Sequence, residues 1–156
     1  MAGLEIVELG EDDATALANM FASDPGGYSQ FFHPFEFDPA SLAKHLRANS
    51  RDRWWGMRFS GRLVGMFMLR GLDEGYKRPS FGVYISHDNQ GKGLATLALR
   101  YSMAWCYMNN IESMLVKVHN ENERAEKLYR DIGFKYLGRS RDGSQVMLEY
   151  ELRNKR

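Results

Sequence analysis

The most constraining part of this chain is residues 80–118. It reads as a strand (Ser80 to Ser86), a glycine-rich loop within "SHDNQGKGLATLAL", a helix of about eighteen residues ending near Asn109-Asn110, and a strand of branched residues, Ser113 to Val118. Two strands joined through a helix pair in parallel, and the crossover is expected to be right-handed. The rest of the chain reads as further strands and helices.

The remaining patterns supply them. "LEIVEL" (Leu4 to Leu9) alternates apolar and polar residues and reads as a strand. "DDATALANMFAS" has helical spacing, with Asp12 or Asp13 available as its cap. "DPGGY" (24–28) breaks the chain, and "DPASLAKHLRA" (38–48) places an acid and then a proline at a helix start. "RWWGMRFS" and "LVGMFMLRG" flank Ser60-Gly61-Arg62 as a hairpin. Adjacent Trp54 and Trp55 then point to opposite faces, one to the core and one open to a site. "ENERAEKLYRDIG" is a short charged helix stopped by Gly133. "FKYLGRS" and "SQVMLEYEL" close the chain around Arg141-Asp142-Gly143, with Val146, Leu148, Tyr150 and Leu152 on one face. The order β-α-α-β-β-β-α-β-α-β-β defines an α+β chain with a mixed sheet and helices on its faces.

At 156 residues, one domain spanning 1–156 is expected, with a sizeable core. Hydrophobic residues at 44% and charged residues at 26% fit a soluble globular protein. A net charge of +1 gives no reason to expect a nucleic-acid groove or an anionic membrane as partner. The single cysteine, Cys106, lies in an apolar run and reads as a buried small hydrophobe, and a cytoplasmic location is the default. The opening residues, "MAGLEIVELGEDD", are expected to be neither signal peptide nor anchor, and no stretch approaches the ~20 apolar residues of a membrane span.

A helix starting at Lys92 or Gly93 would point its first unpaired amides and positive dipole end at an anion. Gly91 and Gly93 would allow close approach, Lys92 would add a charge and Thr96 a hydroxyl. A flexible start to a helix explains the same residues. A P-loop is excluded because Gly93, not Ser or Thr, follows Gly91-Lys92. A dinucleotide fingerprint is excluded because Thr96 stands where its third glycine belongs and His119 where its acid belongs.

Gln90-Gly91-Lys92-Gly93-Leu94-Ala95 matches Q/R-x-x-G-x-G/A, and Asn122 to Tyr129 with Gly133-Phe134 matches N-x-x-A-x-x-L-Y-x-x-x-G-F. In this order, on this strand–loop–helix–strand–helix frame, the two segments resemble the GNAT family of acetyl-CoA-dependent N-acetyltransferases. The motif-bearing likeness covers about 80–137. It implies a mixed, mostly antiparallel sheet of about seven strands, with a splayed parallel pair in the middle and about four flanking helices.

The resemblance also implies a reaction: direct transfer of an acetyl group from acetyl-CoA to an amine, without a covalent enzyme intermediate. By position, Gln90, Gly91, Lys92, Gly93, Leu94 and Ala95 would hold the coenzyme A diphosphate. Val83 and Ile85 would pair with the pantetheine arm, the amide of Ile85 or a near neighbour also facing the thioester oxygen, and Asn122 would hydrogen-bond the arm. Tyr129 would protonate the departing thiolate. Read without the family, Tyr129 simply packs with Leu128, and Asn122 is a helix cap. No metal is called for. The base is unassigned: Ser80 to Ile85 contains no acid, and His87, His119, Asp73 and Glu74 all read as readily as surface residues.

The acceptor is expected to be a primary amine of a small molecule. "YSQFFHPFEFD" (28–38), with five aromatics beside His33, Glu36 and Asp38, suits a sugar ring or a cationic amine, and equally a core cover. Its faint likeness to enzymes of surface-polysaccharide synthesis points to a nucleotide-linked amino sugar. A protein amino group as acceptor, a non-catalytic acyl-CoA-binding module and an assembly domain without a cofactor are the alternatives. A homodimer is left open.

Overall fold

A computed structural model of the chain describes residues 3–24, 36–48 and 51–153. Most of the aromatic stretch, Tyr28 to Phe35, and most of the expected breaker at 24–28 lie outside these residues. The strands are β1 (Leu4–Glu8), β2 (Arg53–Phe59), β3 (Arg62–Arg70), β4 (Ser80–Ile85), β5 (Ser113–His119), β6 (Lys135–Arg139) and β7 (Gln145–Glu151). The helices are α1 (Ala14–Ala22), α2 (Pro39–Ala48), α3 (Leu94–Met108) and α4 (Glu123–Ile132). The seven strands form one mixed sheet in the order β1-β2-β3-β4-β5-β7-β6. Its parallel pair is β4–β5, with Ser80 opposite Leu115 and Phe81 opposite Val116. The element order is the expected one.

Residues group into two compact units, Met1–Met68 with Val83–Ala98, and Leu69–Gly82 with Leu99–Arg156. In the first, β1 pairs antiparallel with β2 from Leu4↔Phe59 to Glu8↔Trp55. The β2–β3 hairpin turns at Ser60 (φ 52°) and Gly61 (φ 77°), the left-handed pair whose twist suits a two-residue turn. Leu17, Phe21, Leu42, Leu46, Trp54, Met66 and Tyr84 are buried together in one cluster. Trp55 stacks on Phe67, ring centres 5.1 Å apart. Both tryptophans are therefore core residues, at 3% and 2% exposure, and neither opens to a site as expected. The alternation places them on opposite faces, and both faces of this strand are covered.

In the second unit, β5 pairs antiparallel with β7 from Ser113↔Glu151 to His119↔Gln145, and β6 with β7. Met114, Val116, Phe134, Val146 and Leu148 are buried.

Helix ends depart from expectation where backbone conformation overrides side-chain preference. At α2 the Asp38 carboxylate accepts from the Ser41 amide at 2.9 Å, as a cap should. At α1 neither Asp12 nor Asp13 caps through its side chain. Glu11–Asp13 form a 3₁₀ turn, so Asp13 already has helical dihedrals and its carboxylate turns back to the Gly10 amide (2.8 Å) and to Arg58 (2.7 Å). Helix α3 starts at Leu94 rather than Lys92 or Gly93 and spans 15 residues. Gly91 (φ 76°) and Gly93 (φ 84°) are left-handed and cannot belong to a right-handed helix.

Candidate functional site

The glycine loop follows β4 through a short 3₁₀ turn, His87–Asn89. It is braced onto its strand: the Gln90 side-chain amide donates to the Ile85 carbonyl (3.3 Å), and that of Asn89 to Ser86 Oγ (2.8 Å). Lys92 Nζ reaches Asn89 Oδ1 at 3.4 Å. The Leu97 amide donates to the Gly93 carbonyl, which makes Gly93 the last residue before the helix and leaves the Leu94, Ala95 and Thr96 amides without helical partners. A side chain added at Gly91 or Gly93 would meet nothing within 4 Å. The loop backbone therefore borders open space, and glycine is needed for the positive φ rather than to relieve crowding.

Amides along a strand alternate between its two edges. The Ser86 amide donates to Val64 of β3 at 2.9 Å, so the Ile85 and Val83 amides point to the opposite edge. Val83, Ile85, Gln90, Gly91, Lys92, Gly93, Leu94 and Ala95 thus form one continuous stretch of the first unit, with strand amides and helix-end amides as its donors. Such a set can hold an extended amide-bearing arm and an anion beside it.

Asn122 and Tyr129 belong to the second unit. Asn122 Oδ1 accepts from the Ala125 amide at 3.3 Å, so it is a helix cap, and its Nδ2 remains available as a donor. Tyr129 is set by the end of α4. Gly133 (φ 123°) turns the chain, the Phe134 amide donates to the Tyr129 carbonyl (3.0 Å), and the two rings meet edge-on at 5.5 Å. This is the hydrogen-bond pattern and apolar contact of a Schellman stop, and it explains why a glycine and a phenylalanine stand four and five residues after the tyrosine. Phe81 packs edge-on at 6.5 Å. Burial pushes the Tyr129 hydroxyl above its ordinary value, so it is a neutral donor.

Of the histidines weighed as bases, His119 accepts the Glu121 amide on Nδ1 at 3.2 Å, so taking a proton there breaks that bond. The sequence gives no sign that a carboxylate does meet β4. Asp24, sixty residues upstream, accepts the Tyr84 hydroxyl at 2.7 Å. Among the described residues no group of three or more His, Cys, Asp or Glu is placed to hold a metal, and no helix is long and apolar enough to cross a membrane.

A braced glycine loop thus stands between a strand with outward amides and a helix N-terminus. A family model described as an acetyltransferase (GNAT) domain matches residues 4–135, and the chain belongs to that family. It is 32% identical over 96 residues to spermidine N(1)-acetyltransferase of Escherichia coli K12, a match covering 61% of this chain and 51% of that protein. The chain thus spans about half the length of that relative. The fold is shared with PaiA N-acetyltransferase of Thermoplasma acidophilum, solved with coenzyme A (TM-score 0.78, 15% identity, 96% and 99% of the two chains). It is shared too with a ribosomal-protein alanine N-acetyltransferase of E. coli (TM-score 0.75, 14% identity, 98% and 96%).

Proposed function

We propose that this chain is one acetyltransferase domain that moves an acetyl group from acetyl-CoA to a primary amine of a small cationic molecule, with polyamines the leading class. The observation that carries the reading is the pair of left-handed glycines bordering open space at the start of α3, on the residues that match the family's diphosphate loop. The residues fit the cosubstrate: Gln90 to Ala95 offer backbone donors and the Lys92 charge, and Val83 and Ile85 offer strand amides. When bound, acetyl-CoA supplies an activated thioester carbonyl.

The chain's residues then have separate tasks. The Ile85 amide donates to the carbonyl oxygen as it gains charge. The amine nitrogen forms the new C–N bond and releases a proton to solvent, the C–S bond breaks, and the Tyr129 hydroxyl donates its proton to the departing sulfur and regains one from solvent. Burial raises the Tyr129 value, so the hydroxyl is protonated at neutral pH. Asn122 Nδ2 hydrogen-bonds the arm of the cosubstrate. Cytoplasmic residence is proposed on the lone buried Cys106.

Spermidine as the substrate named for the curated relative moves the acceptor class away from amino sugars, which no relative named here supports. Acetylation of a protein amino group is the second reading, favoured by the structural likeness to a ribosomal-protein enzyme. The test is release of free CoA thiol with spermidine, an alanine-first peptide and glucosamine. Faster release with spermidine supports the proposal, a peptide preference supports the second reading, and CoA binding without amine-dependent release identifies a non-catalytic module.

A further inference from the structure

Gly65, buried inside β3, stands where the strand itself has no use for a glycine. Its φ is not left-handed, so any residue could adopt this backbone, and a glycine within a strand weakens it unless something comes close. Three groups do. A Cβ on Gly65 would lie 2.9 Å from Ile85 Cδ1, 3.0 Å from the Tyr84 carbonyl oxygen and 3.4 Å from Met57 Sδ. The first is the end of a side chain that can turn aside. The second is backbone and moves only with its peptide. That peptide is the one that carries the Ile85 N–H, because the carbonyl of one residue and the amide of the next share a rigid plane. The two groups point to opposite edges of β4, the oxygen toward the gap at Gly65 and the N–H away from β3.

This peptide is held on both sides. The Ser86 amide donates to the Val64 carbonyl at 2.9 Å, and the buried Tyr84 ring donates through its hydroxyl to Asp24 at 2.7 Å. A push at the carbonyl therefore tilts the peptide rather than sliding the strand. We propose that Gly65 is a positioning residue for the Ile85 amide: its missing side chain lets the Tyr84–Ile85 peptide seat close to β3, and this aims the Ile85 N–H at the thioester oxygen. This rests on the acetyltransferase reading and adds the residue that sets its oxyanion donor. A preorganised donor loses much of its effect when it is displaced by a fraction of an ångström, so a methyl group on the neighbouring strand acts on the rate.

The test compares Gly65→Ala with Gly56→Ala in the full chain. Gly56, in β2, is as crowded, but a Cβ there meets only the Leu9 and Leu63 side chains, at 2.7 and 2.8 Å. The two variants should therefore lose similar thermal stability and differ in two other readouts. The first is the infrared carbonyl stretch of bound acetyl-CoA labelled with ¹³C at its carbonyl. In wild type and Gly56→Ala it should lie below that of free acetyl-CoA, and in Gly65→Ala it should move back toward the free value. The second is CoA release with the fastest of spermidine, the alanine-first peptide and glucosamine. Gly65→Ala should lower kcat about 10-fold with KM for acetyl-CoA within about 2-fold, whereas Gly56→Ala should keep kcat within about 2-fold of wild type. The double variant Gly65→Ala/Ile85→Val deletes Cδ1 and keeps the carbonyl contact, so it relieves crowding if the single variant fails to fold. Its carbonyl stretch and kcat should both stay displaced from those of Ile85→Val alone.

A wild-type stretch no lower than the free value overturns the inference, as does a stretch that Gly65→Ala leaves unmoved. So does an equal change of kcat in the two glycine variants, or recovery of both readouts in the double variant, which would assign the effect to side-chain crowding. If wild type turns over and any of these results is found, the acetyltransferase reading stands and only this inference falls. If the stretch responds to Gly65→Ala but no amine drives CoA release, the inference stands and that reading falls.

Discussion

Tyr129 carries the heaviest chemical assignment of any single residue. Replacing it by Phe removes one oxygen and keeps the Phe81 and Phe134 contacts. Turnover should fall roughly 100-fold with CoA affinity within about 2-fold, measured by steady-state CoA release and by calorimetry. Its active form is the protonated one, and burial raises its value above the ordinary 10.0. The alkaline limb of kcat against pH should therefore lie above pH 10. A Tyr129-dependent limb below that pH would contradict the assignment. Cys106 should resist thiol reagents at neutral pH until the chain unfolds, because burial raises its thiol to about 12. The placement of Tyr129 on α4 and of Asn122 at its cap was legible in the sequence because spacing along one helix is fixed. The Asp24–Tyr84 bond was not, because no local spacing connects residues sixty positions apart.

Among elements, α4 links fold to chemistry most directly. Its amino end is capped by Asn122 and its carboxyl end is turned by Gly133, so both motif residues flanking Tyr129 act first on the helix. Asn122→Ala should cost about 1 kcal/mol of stability in denaturant unfolding. Gly133→Ala should cost more, roughly 1–3 kcal/mol, since alanine is strained at φ 123° and its Cβ would lie 3.1 Å from the Tyr150 ring. It should also reduce turnover, because the turn it forms sets the Tyr129 ring against Phe134. Element types could be read from periodicity, whereas their ends could not always be. The cap at Asp38 was legible since nothing competes for it. The one at Asp13 was not, since Gly10 and Arg58 take its carboxylate. Two left-handed glycines delayed α3 by a residue or more, a backbone state that glycine permits but does not announce.

At the scale of the whole molecule, strand and helix order follow from hydrophobic period, and the family from two short motifs in register. What periodicity could not tell was that both faces of β2 are covered, since alternation gives opposite directions without saying what fills each side. CoA at about 100 times its dissociation constant should add about 2.7 kcal/mol and raise the unfolding midpoint by roughly 5–10 °C, measured by calorimetry. On the proposed reading, main-chain amides of residues 91–95 grip the CoA diphosphate. Amide resonances of the ¹⁵N-labelled chain, followed during titration with CoA and separately with pantetheine, distinguish the two halves of the cosubstrate. Gly91, Lys92, Gly93, Leu94 and Ala95 should move downfield with CoA and stay in place with pantetheine, which lacks the diphosphate. CoA binding that leaves those five resonances unmoved would show that the diphosphate is held elsewhere.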